Sequence, residues 1–328
     1  MNTMRSLFLA LAVSATSTAH AFDPLPQRAP EPADNPTTPA KVRLGLALFM
    51  DPRLSSDGTI SCNSCHALGK GGVDGQPVSD GVGHQQGVRN APTVLNAAFQ
   101  SVQFWDGRAA SLEEQATGPL MNPIEMGNPD ADALVARLKE MPIYQKTFAR
   151  VFGGNDPLTI DHLVQAIAAF ERTLITPDSR FDRFLRGDPT ARLSIQEQRG
   201  MQTFSSIGCL DCHSGINFSG PAMATGQGHY EAFPKHKDNM YVAMYHLDED
   251  QGRFQVTGRE EDRHMFDVPT LRNVARTAPY FHNGSVPTLQ EAVRVMAKTQ
   301  LDLDLKDGDI ADIVAFLKTL DGSPKPKP

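Results

Sequence analysis

Cys62-Asn63-Ser64-Cys65-His66 and Cys209-Leu210-Asp211-Cys212-His213 are two copies of one pentapeptide, C-x-x-C-H. The spacing puts two thiols on one turn, where they can form thioethers with the two vinyl groups of a haem. The histidine that follows then lies under the iron as its proximal ligand. A redox dithiol, a zinc half-site and a disulfide are the competing readings. All four cysteines of the chain fall in the two motifs, and each pair is followed by His. A thioredoxin-like motif has no need of that histidine, and four-cysteine zinc sites do not come as two widely separated C-x-x-C-H units. The fold is therefore expected to hold two covalent haems, one at each motif.

Working outward, the 328 residues suffice for two domains of ordinary size. A hydrophobic content of 40% and a charged content of 21% are those of a globular protein. The net charge of -7 argues against nucleic acid as a partner. At the N-terminus Arg5, the apolar run Leu7 to Val13 and Ala19-His20-Ala21 compose a secretory signal with its cleavage site, over residues 1–21. No apolar run is long enough to span a bilayer. A mature chain starting near Phe22 in a Gram-negative periplasm is the expectation, and it suits c-type haem, which is attached outside the cytoplasm. Residues 22–37 read as an extended leader.

Helix signals dominate. Thr38-Pro39 opens the first helix, Ser111-Leu112-Glu113-Glu114 forms a capping box, and Asn128-Pro129 starts a helix carrying Leu134, Val135, Leu138 and Met141. Thr159 caps the next, Ser194-Ile195-Gln196-Glu197 opens the helix before the second motif, and Thr288 and Asp309 begin the last two. Between the first motif and Asn90, seven glycines rule out a stable helix and predict a mobile loop, with His84 inside it. The expected fold is mainly α, two cytochrome c-like domains each with one covalently bound haem. The boundary is placed at Thr176-Pro177-Asp178, giving 22–177 and 178–328, with the C-terminal tail packing back on the first domain.

The two units repeat. Gly45 and Phe49 precede the first motif as Gly200 and Phe204 precede the second, at a different distance from it. At a constant offset of 177, Pro92-Thr93-Val94-Leu95-Asn96 answers Pro269-Thr270-Leu271-Arg272-Asn273. Phe104-Trp105-Asp106-Gly107 answers Phe281-His282-Asn283-Gly284, and Ser111 answers Thr288. A haem that only conducts electrons keeps two strong axial ligands, whereas one that does chemistry needs an openable face. Met296 follows Thr288 on the second unit's helix and is a candidate thioether ligand, with Met240, Met244 and Met265 as competitors and core packing as the plain alternative. The offset places Pro119 opposite Met296, and proline cannot ligate iron. Met121 is two residues further on, where a helix shift could bring it in. The first haem is thus the expected reaction site. Gln115 and Glu125 are the polar groups near it; a carboxylate there could move a proton between the oxygens of a peroxide, or simply be a solvated glutamate.

These stretches resemble the bacterial dihaem cytochrome c peroxidases, relatives of the dihaem oxidase of methylamine utilisation. The resemblance rests on the region from Cys62 through the glycine-rich loop, Arg89 to Asn96, Gln103-Phe104-Trp105-Asp106-Gly107-Arg108, Ile124-Glu125-Met126 and Thr277 to His282. It implies a low-potential peroxidatic N-terminal haem and a high-potential electron-entry haem at the C-terminal motif. It implies Met296 as the distal ligand of the second haem, where the oxidase relatives have tyrosine. Glu125 falls on the family's acid/base residue, Gln115 on its distal-pocket glutamine and Trp105 on the tryptophan between the haems. Asn90, Thr277 and Pro279 fall on an interdomain calcium site, whose oxygen donors suit that ion. Val82 stands where the family has its labile distal histidine. His84, two residues later, is the candidate for that ligand, with an exposed loop histidine as the alternative.

The expected activity is reduction of hydrogen peroxide with electrons from a small cytochrome c or cupredoxin, in a chain that the resemblance makes a homodimer. A dihaem electron carrier without substrate and a protein-modifying dihaem oxidase are the alternatives. His162 is expected to face solvent, His229, His236, His246 and His264 to lie in loops, and His282 to lie near the second haem without ligating it.

Overall fold

The structure is a computed structural model and describes residues 22–324. The signal sequence expected over 1–21 and the last residues of the Pro-Lys tail lie outside the described residues. Thirteen helices appear among them: α1 (Pro39–Phe49), α2 (Cys62–Cys65), α3 (Leu112–Met121), α4 (Ala131–Lys139), α5 (Pro142–Phe152), α6 (Ile160–Glu171), α7 (Arg180–Leu185), α8 (Ile195–Ser206), α9 (Cys209–Cys212), α10 (Met240–Met244), α11 (Phe254–Thr257), α12 (Leu289–Leu301) and α13 (Asp307–Lys318). A two-stranded antiparallel ribbon pairs β1 (Tyr230–Ala232) with β2 (Met265–Asp267). The fold is mainly α, with two cytochrome c-like halves.

Each half is built on the same helix crossing. In the N-terminal half α1 crosses α6 at Gly45, where a Cβ would lie 1.9 Å from the Ala166 carbonyl oxygen. In the C-terminal half α8 crosses α13 at Gly200, where a Cβ would lie 1.8 Å from the Asp312 carbonyl oxygen. Only glycine lets the two backbones meet this closely. One turn later an aromatic pair closes each crossing: Phe49 on Phe170 at 5.2 Å between ring centroids, Phe204 on Phe316 at 5.5 Å. Each of these buried rings contributes about 1.5–3 kcal/mol. Two cores result, one gathering residues from Leu44 to Leu174 and the other from Phe181 to Leu320.

The repeat extends to backbone detail. Asn96 and Asn273 are both left-handed, at φ 64 and 61°, as are Phe104 and Phe281, at 68 and 72°. The two asparagines meet at one residue: both side-chain amides donate to Thr176 Oγ1, at 2.9 and 3.0 Å. Gly322 also lies here, its N–H donating to Asn273 Oδ1 at 2.8 Å. The segment at 22–25 reaches the other core. Phe22 packs against Phe181, Phe218 and Phe316, and the Leu25 N–H donates to Asp182. Asp182 is itself paired with Arg272 in a fully buried ion pair at 2.9 Å.

Helix starts at Thr38, Thr159, Ser194 and Thr288 are capped as the sequence suggests. Three expectations need correction. Asp130, not Asn128, caps α4; Asn128 is buried and donates to the carbonyls of Leu54 and Leu120. Met141 is not on that helix but precedes α5, which starts at Pro142. His162 is half-buried, stacked on Phe152 at 4.0 Å.

Candidate functional site

Both C-x-x-C-H motifs form a single helical turn in which the histidine N–H donates to the carbonyl of the first cysteine at 2.9 Å. The two thiols of each turn thus face one space. All four cysteines are free, and burial pushes the Cys62 and Cys209 thiols up to about 12. Thiols held protonated suit addition across a vinyl group rather than thiolate redox or zinc chemistry.

The second motif opens on an apolar cavity of about 280 Å³. Cys209, Cys212 and His213 lie on its wall, and so does Met296 of α12. Met240 and Met244 are exposed, and Met265 sits on the β ribbon away from this wall. His213 is buried, and burial lowers its pKa to about 4, so the imidazole is neutral. Its Nδ1 is 3.1 Å from the Phe218 carbonyl oxygen. That bond fixes the tautomer and leaves Nε2 as the iron ligand. Two thiols, a neutral oriented imidazole and a thioether around one apolar cavity fit a covalent haem.

The first motif has a different surround. His66 Nδ1 is buried and has no hydrogen-bond partner, a donor atom left without its second contact. Burial lowers the pKa of this imidazole as well, so it too is available as a neutral ligand. The helix that answers α12 is α3, and it carries Pro119 in its interior where α12 carries Met296. Met121, at the end of α3, packs against the N-terminal core.

Glu125 follows α3 in a tight turn. It is half-buried, and burial raises its pKa above the ordinary carboxyl value, against the opposing pull of Arg108 and Asn122. Asn122 Nδ2 donates to Glu125 Oε1 at 2.8 Å. Glu125 is close enough to Cys65 to act on that thiol's charge, which places it at the first motif. Asn122 was not singled out in the sequence, although Asn-x-x-Glu is the spacing of a side-chain bond across a turn. Gln115 is half-buried on α3.

The glycine-rich segment closes over this turn. Val82 N–H donates to the Glu125 carbonyl at 3.0 Å, and Gln85 Nε2 to the Pro123 carbonyl at 3.3 Å. A Cβ on Gly81 would lie 1.9 Å from the Ile124 carbonyl oxygen, so glycine is required for the approach. His84 is on the exposed tip of this segment, in a left-handed conformation at φ 58°.

Trp105 stands between the two halves. Its indole Nε1 donates to the Asn90 carbonyl at 2.9 Å, its carbonyl accepts from Asp267 N–H at 2.9 Å, and its ring lines the cavity of the second motif. Asn90, Thr277 and Pro279 line the same cavity. His282 is there too, 98% buried. Its ring stacks on Phe266 at 4.5 Å and meets Trp105 edge-on at 6.4 Å. Burial lowers its pKa to about 4.

Comparison with known proteins supports the assignment. The family model described as di-haem cytochrome c peroxidase matches residues 39–190, and one described as RoxA-like, cytochrome c-like matches 266–299. Cytochrome c peroxidase Ccp of Escherichia coli is 45% identical over 95% of this chain, which spans 64% of that protein's length. Cytochrome c551 peroxidase of Nitrosomonas europaea is also 45% identical, over 92% of this chain and 84% of its own. Among solved structures, a MauG-like protein associated with microbial copper homeostasis superposes with a TM-score of 0.79 at 31% identity, over 91% of this chain and 95% of its own. The chain belongs to the di-haem cytochrome c peroxidase family.

Proposed function

We propose that this chain reduces hydrogen peroxide to two waters in the periplasm, taking two protons and two electrons, the latter from a small soluble cytochrome c or cupredoxin. The observation that carries the reading is the pairing of Glu125 with Pro119. A carboxyl that burial makes a weaker acid stands beside the first motif, on the half that lacks the thioether supplied to the other by Met296. Haem, when bound, supplies the redox-active iron and, at the N-terminal motif, a coordination position for the substrate.

The residues then divide the work. His66 and His213 would each supply a neutral imidazole to one of the two groups, and the four cysteines would fix them covalently. Met296 would add a thioether at the C-terminal site, which receives electrons. Trp105 lies on the route to the N-terminal site. Glu125 takes a proton from one oxygen of hydrogen peroxide and returns it to the other, which departs as water. Burial makes it a weaker acid than an ordinary carboxyl, so it holds the proton more readily between the two steps, and the bond from Asn122 holds the carboxyl in place. Gln115 orients the peroxide. His84 covers the N-terminal site in the oxidised resting protein and withdraws on activation, a two-state loop change. Calcium held by Asn90 and the carbonyls of Thr277 and Pro279 favours the active arrangement, and the working unit is a homodimer.

Steady-state peroxide reduction with a reduced cytochrome donor tests this reading. A Glu125→Ala protein that turns over at the unaltered rate removes Glu125 from the mechanism. The alternative of an oxidase that modifies another protein has Met296 against it, since a thioether is a poorer partner than tyrosinate for a highly oxidised iron.

A further inference from the structure

The sequence places the seven glycines between the first motif and Asn90, and the structure shows what fixes the far end of that segment. Arg89 is largely buried and spans the two halves. Its Nη1 donates to Asp106 Oδ2 of the N-terminal half at 2.5 Å. Its Nε and Nη2 donate in bidentate fashion to Asp250 of the C-terminal half, at 2.6 and 2.9 Å. Both carboxylates are 10% exposed or less and share the Arg89 guanidinium, while Arg108 also pairs with Asp106 at 2.8 Å. The neighbouring residue is gripped as well: Asn90 N–H donates to the His282 carbonyl at 2.7 Å, and its own carbonyl accepts from Trp105.

Asp250 is in turn linked to the helix of Met296. Helix α10 packs on α12. Tyr245, at the end of α10, donates from its hydroxyl to Glu291 of α12 at 3.1 Å and leads directly into the Asp250 turn, which the Gly252 N–H closes at 2.7 Å. Two bonded contacts, Tyr245 to Glu291 and Arg89 to Asp250, are therefore joined by the short stretches of chain 245–250 and 85–89, which connect the helix bearing Met296 to the segment that closes over Glu125.

We propose that Arg89 is a positioning residue that makes the loop over the N-terminal site answer to the redox state of the C-terminal site. The idea rests on the proposed division of labour between the two haems, and goes beyond it by naming the link. A guanidinium is needed because it can hold two carboxylates from different directions at once, which a lysine point charge does less well. Shifts at α12 are passed to the loop chiefly while both carboxylates stay on the same guanidinium; with the bridge cut, each half keeps its own fold and cofactor but the signal is weakened.

The test measures cyanide affinity at the N-terminal haem of the full holoprotein, fully oxidised and with the C-terminal haem alone reduced. The wild-type chain is expected to bind cyanide at least ten-fold more tightly after that reduction. Arg89→Gln and Asp250→Asn are each expected to bring the ratio below three-fold, with Arg89→Lys falling between. Asp250→Asn preserves shape and leaves the Arg89–Asp106 pair, so it reports even if Arg89→Gln folds poorly. Variants that keep the wild-type ratio, or a wild-type chain with no ratio to lose, overturn the proposal. Peroxide turnover is measured alongside: a chain that reduces peroxide while Arg89→Gln retains the ratio sinks this link alone. A chain that loses the ratio in the variants yet never reduces peroxide sinks the peroxidase reading alone.

Discussion

The two halves share a helix crossing, a haem-attachment turn and a left-handed Asn–Phe pair, and differ at the positions where chemistry is decided. In the C-terminal half the proximal histidine is tied to the Phe218 carbonyl, and Met296 shares its apolar cavity. In the N-terminal half His66 Nδ1 has no partner, Pro119 occupies the place of Met296, and a half-buried carboxyl, Glu125, lies close to the motif. A third difference sits behind the helix crossing. The residue after Phe316 is buried Leu317, whereas the residue after Phe170 is buried Glu171. One scaffold thus carries two differently furnished sites, through a handful of side chains and no change of fold.

The largest effect is expected from removing the group that only the N-terminal half has. Glu125→Gln should cut peroxide turnover by roughly 10²–10⁴-fold with both haems still attached, measured with a reduced cytochrome donor. The converse change gives the N-terminal half what it lacks. Pro119→Met should supply a thioether and lower turnover by about ten-fold or more, with a second methionine-ligated haem visible in the spectrum. Met296→Ala should open the C-terminal site, lower its reduction potential and let cyanide bind at both haems, as read by spectroscopic titration.

The smallest effect concerns Glu171. Burial raises its pKa to about 8, with Arg172 opposing and Glu113 adding to the rise. A carboxyl raised in this way is tolerated while protonated. Stability is therefore full below the usual carboxyl value of 4.5 and is lost as pH climbs through about 8. Glu171→Gln should remove that slope and be more stable than the parent by about 1–3 kcal/mol at pH 9, with little difference at pH 5, by thermal melts.

Much of this contrast was legible in the sequence because it is local or repeated. C-x-x-C-H is contiguous, Thr38-Pro39 and Ser194 announce their helices through capping, and the offset that pairs Met296 with Pro119 needs no coordinates. What escaped was non-local. Arg89 and Asp250 are 161 residues apart, and no pattern in either neighbourhood marks them as partners. Helix α5 was passed over because the apolar run through Met141 read as one helix, although Pro142 at its first position is a start signal. Asn128 misled for a physical reason: an asparagine before proline resembles a helix cap, but here its amide satisfies two buried carbonyls.

Electron paramagnetic resonance of the holoprotein, fully oxidised and then half-reduced, with and without calcium, addresses the inequivalence of the two irons most directly. The account predicts two distinct ferric signals at rest. On half reduction the histidine–methionine signal of the C-terminal haem should disappear, and the N-terminal one should pass to a form with an exchangeable sixth position. Two histidine–methionine haems that stay six-coordinate in both states would contradict it.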